Sequence, residues 1–214
     1  MFIGTPCQIS ALQNYLGKPY DNLYTIDFIC HGVSSRYVFD KYLDFLNMDE
    51  SPVSIRFRNK MHGYRNKKAC FELQIEYPEK TVRKGTKEGV YYWFSSSLSV
   101  RESCYHCPFA STKRASDITL ADYVGHDLSD TDDEIGVNTV FVNTQKGFSL
   151  LEKIKSDIVM ESRDTEAMVK SYDHLIMSAS KPFCRKAFFK ELSSVDYLTL
   201  EKSIQSKKYC QIKW

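Results

Sequence analysis

A strand–loop–helix pattern occurs twice at the start of this chain, and each loop carries a cysteine. Met1-Phe2-Ile3 reads as the end of a buried strand that runs into Gly4 and Thr5. Thr5 is a suitable N-cap, Pro6 fits the first helical position, and Gln8 completes a capping box. Ile9, Leu12 and Leu16 then recur at helical spacing until Gly17 and Pro19 stop the helix. Cys7 falls in the first turn, where free N–H groups and the helix dipole favour a thiolate. Leu23 to Ile29 is a mainly apolar run of strand length, followed by Cys30-His31-Gly32 and a helix through Tyr37, Phe39, Leu43 and Leu46. Two such units in succession predict parallel strands whose C-terminal ends open onto a common crevice.

The middle of the chain follows a different pattern. Ser54 to Arg58 and Cys70 to Tyr77 alternate as half-buried strands do, and Pro78-Glu79-Lys80 turns the chain toward Thr81-Val82. A basic, glycine-containing connection, 60–68, joins the first two. Val90 to Leu98 reads as helix, Ile118 to Tyr123 and Val137 to Asn143 as strands separated by the acidic loop 127–134. Helix is expected over Phe148 to Ile154, then a short strand near Ile158, then helices to the end. The fold class is α/β: a mixed sheet with flanking helices and a helical C-terminal region. Residues 1–150 are read as the functional domain and 151–214 as its helical extension.

The 214 residues suffice for one sizeable core, and 43% apolar with 26% charged residues is an ordinary globular composition. A net charge of +2 gives no reason to expect nucleic acid or a membrane surface as a partner. No apolar run reaches the roughly 20 residues of a bilayer span, and the N-terminus has no signal-peptide pattern, so a cytoplasmic chain is expected. The abrupt opening on a strand end suggests a missing upstream segment. The strand ending at Ile3 is expected inside the sheet, because its residues are apolar.

Seven cysteines without an export signal argue against disulfides and for metal binding, redox chemistry or burial. Cys104-Tyr105-His106-Cys107 is the clearest local signal, because two thiolates at this spacing can grip one centre from a single turn. The same spacing also occurs in redox dithiols. Cys7 and Cys30, each following a strand, can supply two further ligands to an iron–sulfur cluster. Tetrahedral zinc, with His31 or His106 able to replace a thiolate, is the alternative. Cys70, Cys184 and Cys210 read as small buried hydrophobes.

Five segments then carry a resemblance: Gly4-Thr5-Pro6-Cys7-Gln8, Ile29-Cys30-His31-Gly32-Val33, Phe57-Arg58-Asn59-Lys60 with Gly63-Tyr64, Ser103-Cys104-Tyr105-His106-Cys107, and Ser116-Asp117-Ile118-Thr119-Leu120. In this order, over roughly residues 1 to 150, the chain resembles the C-terminal domain of the coenzyme F420 hydrogenase/dehydrogenase beta-subunit family. The resemblance implies an iron–sulfur flavoprotein oxidoreductase with FAD and one [4Fe–4S] cluster held by Cys7, Cys30, Cys104 and Cys107. It also implies electrons from a ferredoxin-like donor, or from an N-terminal ferredoxin domain such as many relatives carry. The family includes deazaflavin-linked enzymes, a reductase of a chlorophyll derivative, and proteins associated with bacterial polysaccharide synthesis. Where relatives often have Gly-Asp-Phe-Trp-Gly, this chain reads Ala121-Asp122-Tyr123-Val124-Gly125, without the large tryptophan surface.

For a flavin, Arg56, Arg58 and Lys60 at alternate positions can point to one strand face and bind the pyrophosphate; a solvated basic edge strand is the plainer reading. Thr5, His31 and Gly32 are expected beside the cluster, although a hydrogen-bonded loop histidine would look the same. Asp122 rests on the family segment alone. Tyr91-Tyr92-Trp93-Phe94 reads as core. No catalytic residue is identifiable, and the rival to an oxidoreductase is a non-catalytic, zinc-stabilised interaction domain.

Overall fold

The computed structural model describes residues 1–46, 50–59, 72–85, 89–123 and 136–206. Lys60, the rest of the 60–68 connection, Cys70, the acidic loop 127–134 and Cys210 lie outside the described residues. The chain is mixed α/β and divides into two compact units: Met1–His31 with His106–Ser178, and Gly32–Tyr105 with Ala179–Trp214. Each unit is therefore assembled from two separated stretches. The final helices belong with the 32–105 segment.

The first unit is built on a four-stranded sheet in the order β1 (Phe2–Ile3), β2 (Thr25–Phe28), β6 (Ile118–Asp122), β7 (Asn138–Val142). β1, β2 and β6 are parallel and β7 is antiparallel, which makes the sheet mixed as expected. β1 is an edge strand, however, not an interior one. It pairs only with β2 among the described strands, and Ile3 is exposed, so three apolar residues did not suffice to place it centrally. Helix α1 (Pro6–Leu16) begins and ends where the local signals put it. Gln8 Oε1 accepts the Thr5 N–H at 2.8 Å, and Gly17 closes the helix at φ 67°.

This unit buries an unusual amount of polar surface for a sheet core. Thr25, Asp27, Ser116, Asp117, Thr119 and Thr139 are all buried beside Ile9 and Ile118. Asp117 accepts from Thr25 N and Thr25 Oγ1, at 2.8 and 3.0 Å, and from Thr144 Oγ1 at 2.7 Å. Burial alone would raise its pKa. Hydrogen bonds from Thr144 and Thr25, with the nearby Lys146 ammonium, outweigh that and hold it below the ordinary carboxylate value. Helix α4 (Gln145–Ile154) starts directly against this site, with Thr144 Oγ1 accepting the Gly147 N–H. The expected strand near Ile158 is absent: a 3-10 turn, Lys155–Asp157, occupies the approach, and Ile158 and Val159 are exposed with no described strand to pair with. Short helices α5 (Thr165–Lys170) and α6 (Asp173–Ile176) complete the unit.

The second unit contains α2 (Arg36–Phe45), an antiparallel sheet of β3 (Ser54–Asn59), β4 (Glu72–Glu76) and β5 (Thr81–Lys84), then α3 (Gly89–Ser95), α7 (Arg185–Leu192) and α8 (Tyr197–Ser206). Trp93 is its fully buried centre, with the rings of Tyr42, Phe188 and Tyr197 at 6.0, 5.3 and 6.3 Å. The Tyr91–Phe94 aromatics thus include a core anchor. Glu201 of α8 accepts the Gly89 N–H at 2.9 Å, satisfying a free donor at the start of α3.

Gly147 offers a direct check on the first unit. A Cβ there would lie 2.3 Å from the Asp117 carbonyl oxygen, a backbone atom that cannot swing away. Gly147→Ala is expected to destabilise the protein by about 1–3 kcal/mol through overpacking, measured as a lower midpoint in chemical or thermal unfolding.

Candidate functional site

The parallel β1/β2 ladder carries two cysteines toward the same end of the sheet. Ile3 is in register with Ile26, and Cys7 and Cys30 each lie four residues beyond that pair. Cys7 is exposed in the first turn of α1, and its sulfur lies 3.0 Å from Thr5 Oγ1. Cys30 is partly exposed just past β2.

Cys107 reaches this unit by a different route. It opens an irregular segment, 107–117, that leads into β6. At the end of that segment the Asp117 N–H donates to Thr25 O, at the start of β2. Further back, Arg114 Nη2 donates to Phe28 O at 3.2 Å, at the finish of β2. The segment therefore reaches, moving backward from Asp117, toward the end of β2 that leads to Cys30.

Arg114 is almost wholly buried, and its ion-pair partner Asp27 is completely so. Nη2 lies 2.9 Å from Asp27 Oδ2, at ion-pair distance without hydrogen-bond alignment. Nη1 donates to Phe109 O at 3.1 Å and Ser111 O at 3.4 Å, and Nε to Thr119 Oγ1 at 3.3 Å. Thr119 in turn donates to Asp27 Oδ1 at 2.6 Å. The sequence reasoning missed this group. Its one signal was Asp27, a carboxylate inside an otherwise apolar strand.

His31 contacts His174 of α6, with Nδ1 and Nε2 2.6 Å apart and the rings edge to face. Nothing local in the sequence connects these two histidines. Burial lowers the His174 pKa, against the opposing effects of the Met177 backbone and Asp173. The folded state thus favours neutral His174.

In the second unit, Cys104 lies in a 3-10 helix, Glu102–His106. Arg185 secures it by donating to Tyr105 Oη at 2.9 Å and Val100 O at 3.0 Å, and by pairing with Glu102 at 3.1 Å. Gly32 has φ 141°, and a Cβ there would lie 2.7 Å from Val100 Cγ1 and 3.3 Å from Cys104 Cβ. Its lack of a side chain is what lets the chain pass Cys104 so closely.

Arg56 and Arg58 lie on the edge strand β3 and are exposed, as is Phe57 between them. The β3/β4 pairing is irregular between Arg56 and Asn59. Asp122 ends β6, where its carbonyl oxygen accepts the Tyr172 hydroxyl at 2.8 Å.

Among the described residues, Cys7, Cys30, Cys104 and Cys107 are in no disulfide. Cys184 is buried in the second unit's core as expected, but it is disulfide-bonded, against the expectation from composition. Disulfide formation depends on Cα separation and Cβ direction, which an odd count and a missing export signal do not report. Among the described residues, no three His, Cys, Asp or Glu side chains are arranged to hold a single metal ion. A four-iron cluster makes a different demand, spreading its thiolates around a larger body.

A cavity of about 330 Å³ in the first unit opens at the far end of α1, between Gln13, Lys18, Tyr20, Asp117 and Lys146. Its Asp117 and Gln13 are already hydrogen-bonded within the protein, and Lys146 donates to Leu23 O at 2.6 Å. None of the residues expected to bind cofactor lines it. No helix among the described residues is long and apolar enough to cross a membrane.

Cysteines outside any disulfide follow two parallel strands of this α/β protein, and two more, Cys104 and Cys107, lie close together in the chain. Residues 1–167 match the model for the C terminus of the coenzyme F420 hydrogenase/dehydrogenase beta subunit, and the chain belongs to this family of oxidoreductase subunits. A beta subunit works in association with other subunits or an electron-transfer partner. No curated protein matches the chain.

The histidine contact gives a pH test. A histidine whose folded pKa is lowered contributes stability that is complete above its unfolded value and is lost as pH falls through the folded value. The thermal midpoint is therefore expected to fall as pH drops below about 6.5, the ordinary histidine value. His174→Gln should flatten that slope in unfolding scans across pH 5 to 7.5, on the order of the histidine titration range.

Proposed function

We propose that this protein is an iron–sulfur flavoprotein oxidoreductase subunit in which Cys7, Cys30, Cys104 and Cys107 hold one [4Fe–4S] cluster. The observation that carries the reading is the identity of these thiols. The four cysteines assigned as ligands are those in no disulfide among the described residues, and all four are at least partly exposed. Thiolate is also the donor that suits such a cluster. Cys7 lies in the first turn of α1, with the Thr5 hydroxyl 3.0 Å from its sulfur. When bound, a cluster supplies one-electron steps and FAD converts them to two-electron chemistry. A ferredoxin-like partner or domain is the proposed electron donor, and the cytoplasm the proposed compartment.

The proposed FAD contacts divide by what their side chains already do. Thr5 is engaged with Cys7 and His31 with His174, so both act beside the cysteines. Gly32 leaves room for Cys104. Arg56 and Arg58, exposed and basic, fit a pyrophosphate by charge, with Lys60 and Asp122 supported by the family pattern.

Cys104→Ser and Cys107→Ser are each expected to abolish cluster loading, whereas Cys210→Ser retains it. Iron and acid-labile sulfide per chain after anaerobic purification decide the matter. Equal iron in the wild type and Cys104→Ser would refute the ligand set, and colourless protein with stoichiometric zinc would establish the interaction-domain alternative.

The flavin assignment has its own readout. The double substitution Arg56→Gln, Arg58→Gln is expected to weaken FAD binding by at least about tenfold, from loss of charge-assisted hydrogen bonds. Flavin fluorescence titration measures this, and an unchanged affinity would leave the two arginines as a solvated edge.

A further inference from the structure

A fully buried ion pair is an expensive way to fill a sheet core. Desolvating both charges offsets most of their attraction, and apolar residues of similar volume often stabilise as well or better. Asp27 and Arg114 therefore call for a reason beyond stability. Their surroundings supply one.

The segment 107–117 has no regular secondary structure and joins the sheet at its end, where Asp117 O accepts the Asn143 N–H, so its earlier carbonyl groups need other donors. Arg114 is the donor for two of them, Phe109 O and Ser111 O, and the same guanidinium donates to Phe28 O. Phe109 is two residues after Cys107, and Phe28 is two residues before Cys30. One rigid, planar group thus joins the chain leaving one cysteine to the chain approaching another. Asp27 and Thr119 fix the orientation of that plane from below. A lysine could answer the charge of Asp27 but could not span three carbonyls and a hydroxyl.

We propose that Arg114 is a positioning residue that sets Cys107 relative to Cys30 for cluster binding, with Asp27 holding its guanidinium in place. This rests on the reading of Cys30 and Cys107 as cluster ligands. Groups that orient metal ligands without touching the metal typically matter by about 10–100-fold in affinity. Arg114 acts through the backbone on either side of the two cysteines.

The test compares Arg114→Lys, the paired apolar variant Asp27→Leu/Arg114→Met, and Cys107→Ser, all in the full chain reconstituted anaerobically with iron and sulfide. The paired variant removes both charges together, so it leaves no unpaired buried ion to unfold the unit. Three quantities are read: the thermal midpoint of the cluster-free protein, the rate of cluster loss to a chelator, and the electron paramagnetic resonance spectrum of the reduced cluster. The expected result is a paired variant that folds with a midpoint near the wild type, yet loses its cluster at least about tenfold faster with a broadened spectrum. Arg114→Lys should show the same lability, because restoring charge does not restore the fork.

Folded variants with wild-type cluster lifetime and spectrum would overturn the proposal, provided that Cys107→Ser has lost its cluster. Retention of a normal cluster by Cys107→Ser would instead overturn the ligand assignment. Failure of both Arg114 variants to fold would show that the pair serves the fold as a whole and overturn a separate positioning role.

Discussion

The Asp27–Arg114 pair is the constraint around which the first unit is organised. β6 runs parallel to β2, so a segment entering β6 arrives at the end of the sheet opposite to Cys30. Something must bring that segment to the cysteine end. Backbone ladder bonds hold its Asp117 end, to Thr25 O and from Asn143 N, and leave the stretch back to Cys107 to other groups. The long Arg114 side chain makes the connection instead, and a buried carboxylate on the central strand holds it. The surrounding polar residues then follow. Thr119 donates to Asp27 Oδ1, Asn143 donates to Thr119 Oγ1 at 2.9 Å, and Asp117 with Thr25 and Thr144 ties the lower end of the same segment to β2 and α4. A buried charge thus needs a satisfied polar network, and that network occupies space that an apolar core would otherwise fill.

The second unit solves its packing in a conventional way, with Trp93 among aromatic rings and apolar residues of α2, β4, α7 and α8. Yet it contains a parallel device. Arg185 grips Tyr105, Val100 and Glu102 around Cys104 much as Arg114 grips the carbonyls near Cys107. Cys104 and Cys107 each lie in a stretch secured by an arginine. Planar guanidinium groups suit this task, since they satisfy several backbone oxygens at once with little further loss of freedom.

Much of the local structure was legible in the residues. Thr5, Pro6, Gln8 and Gly17 marked both ends of α1, and the strand patterns located β2 through β7 to within a few residues. These signals are local: capping groups and side-chain periodicity act over three or four residues. The CxxC pair and the two post-strand cysteines stood out as candidates, because such spacings are sequence features. The failures share a cause as well. β1 looked central because it is apolar, but its position depends on which strands find it. Ile158 looked like a strand because it is apolar, but no described strand lies beside it. Cys184 gave no local sign of a disulfide.

By itself, the sequence determined the mixed α/β class and the types of most elements, and it singled out the cysteines of the candidate site. Tertiary structure alone decided the rest: the division into two units, the edge position of β1, the His31–His174 contact, and the arginine joining Cys107's segment to β2. Phe28 and Arg114 are 86 residues apart, and His31 and His174 143 apart. Neither contact leaves a periodic or capping trace, because each exists only once distant strands have set the distance between them.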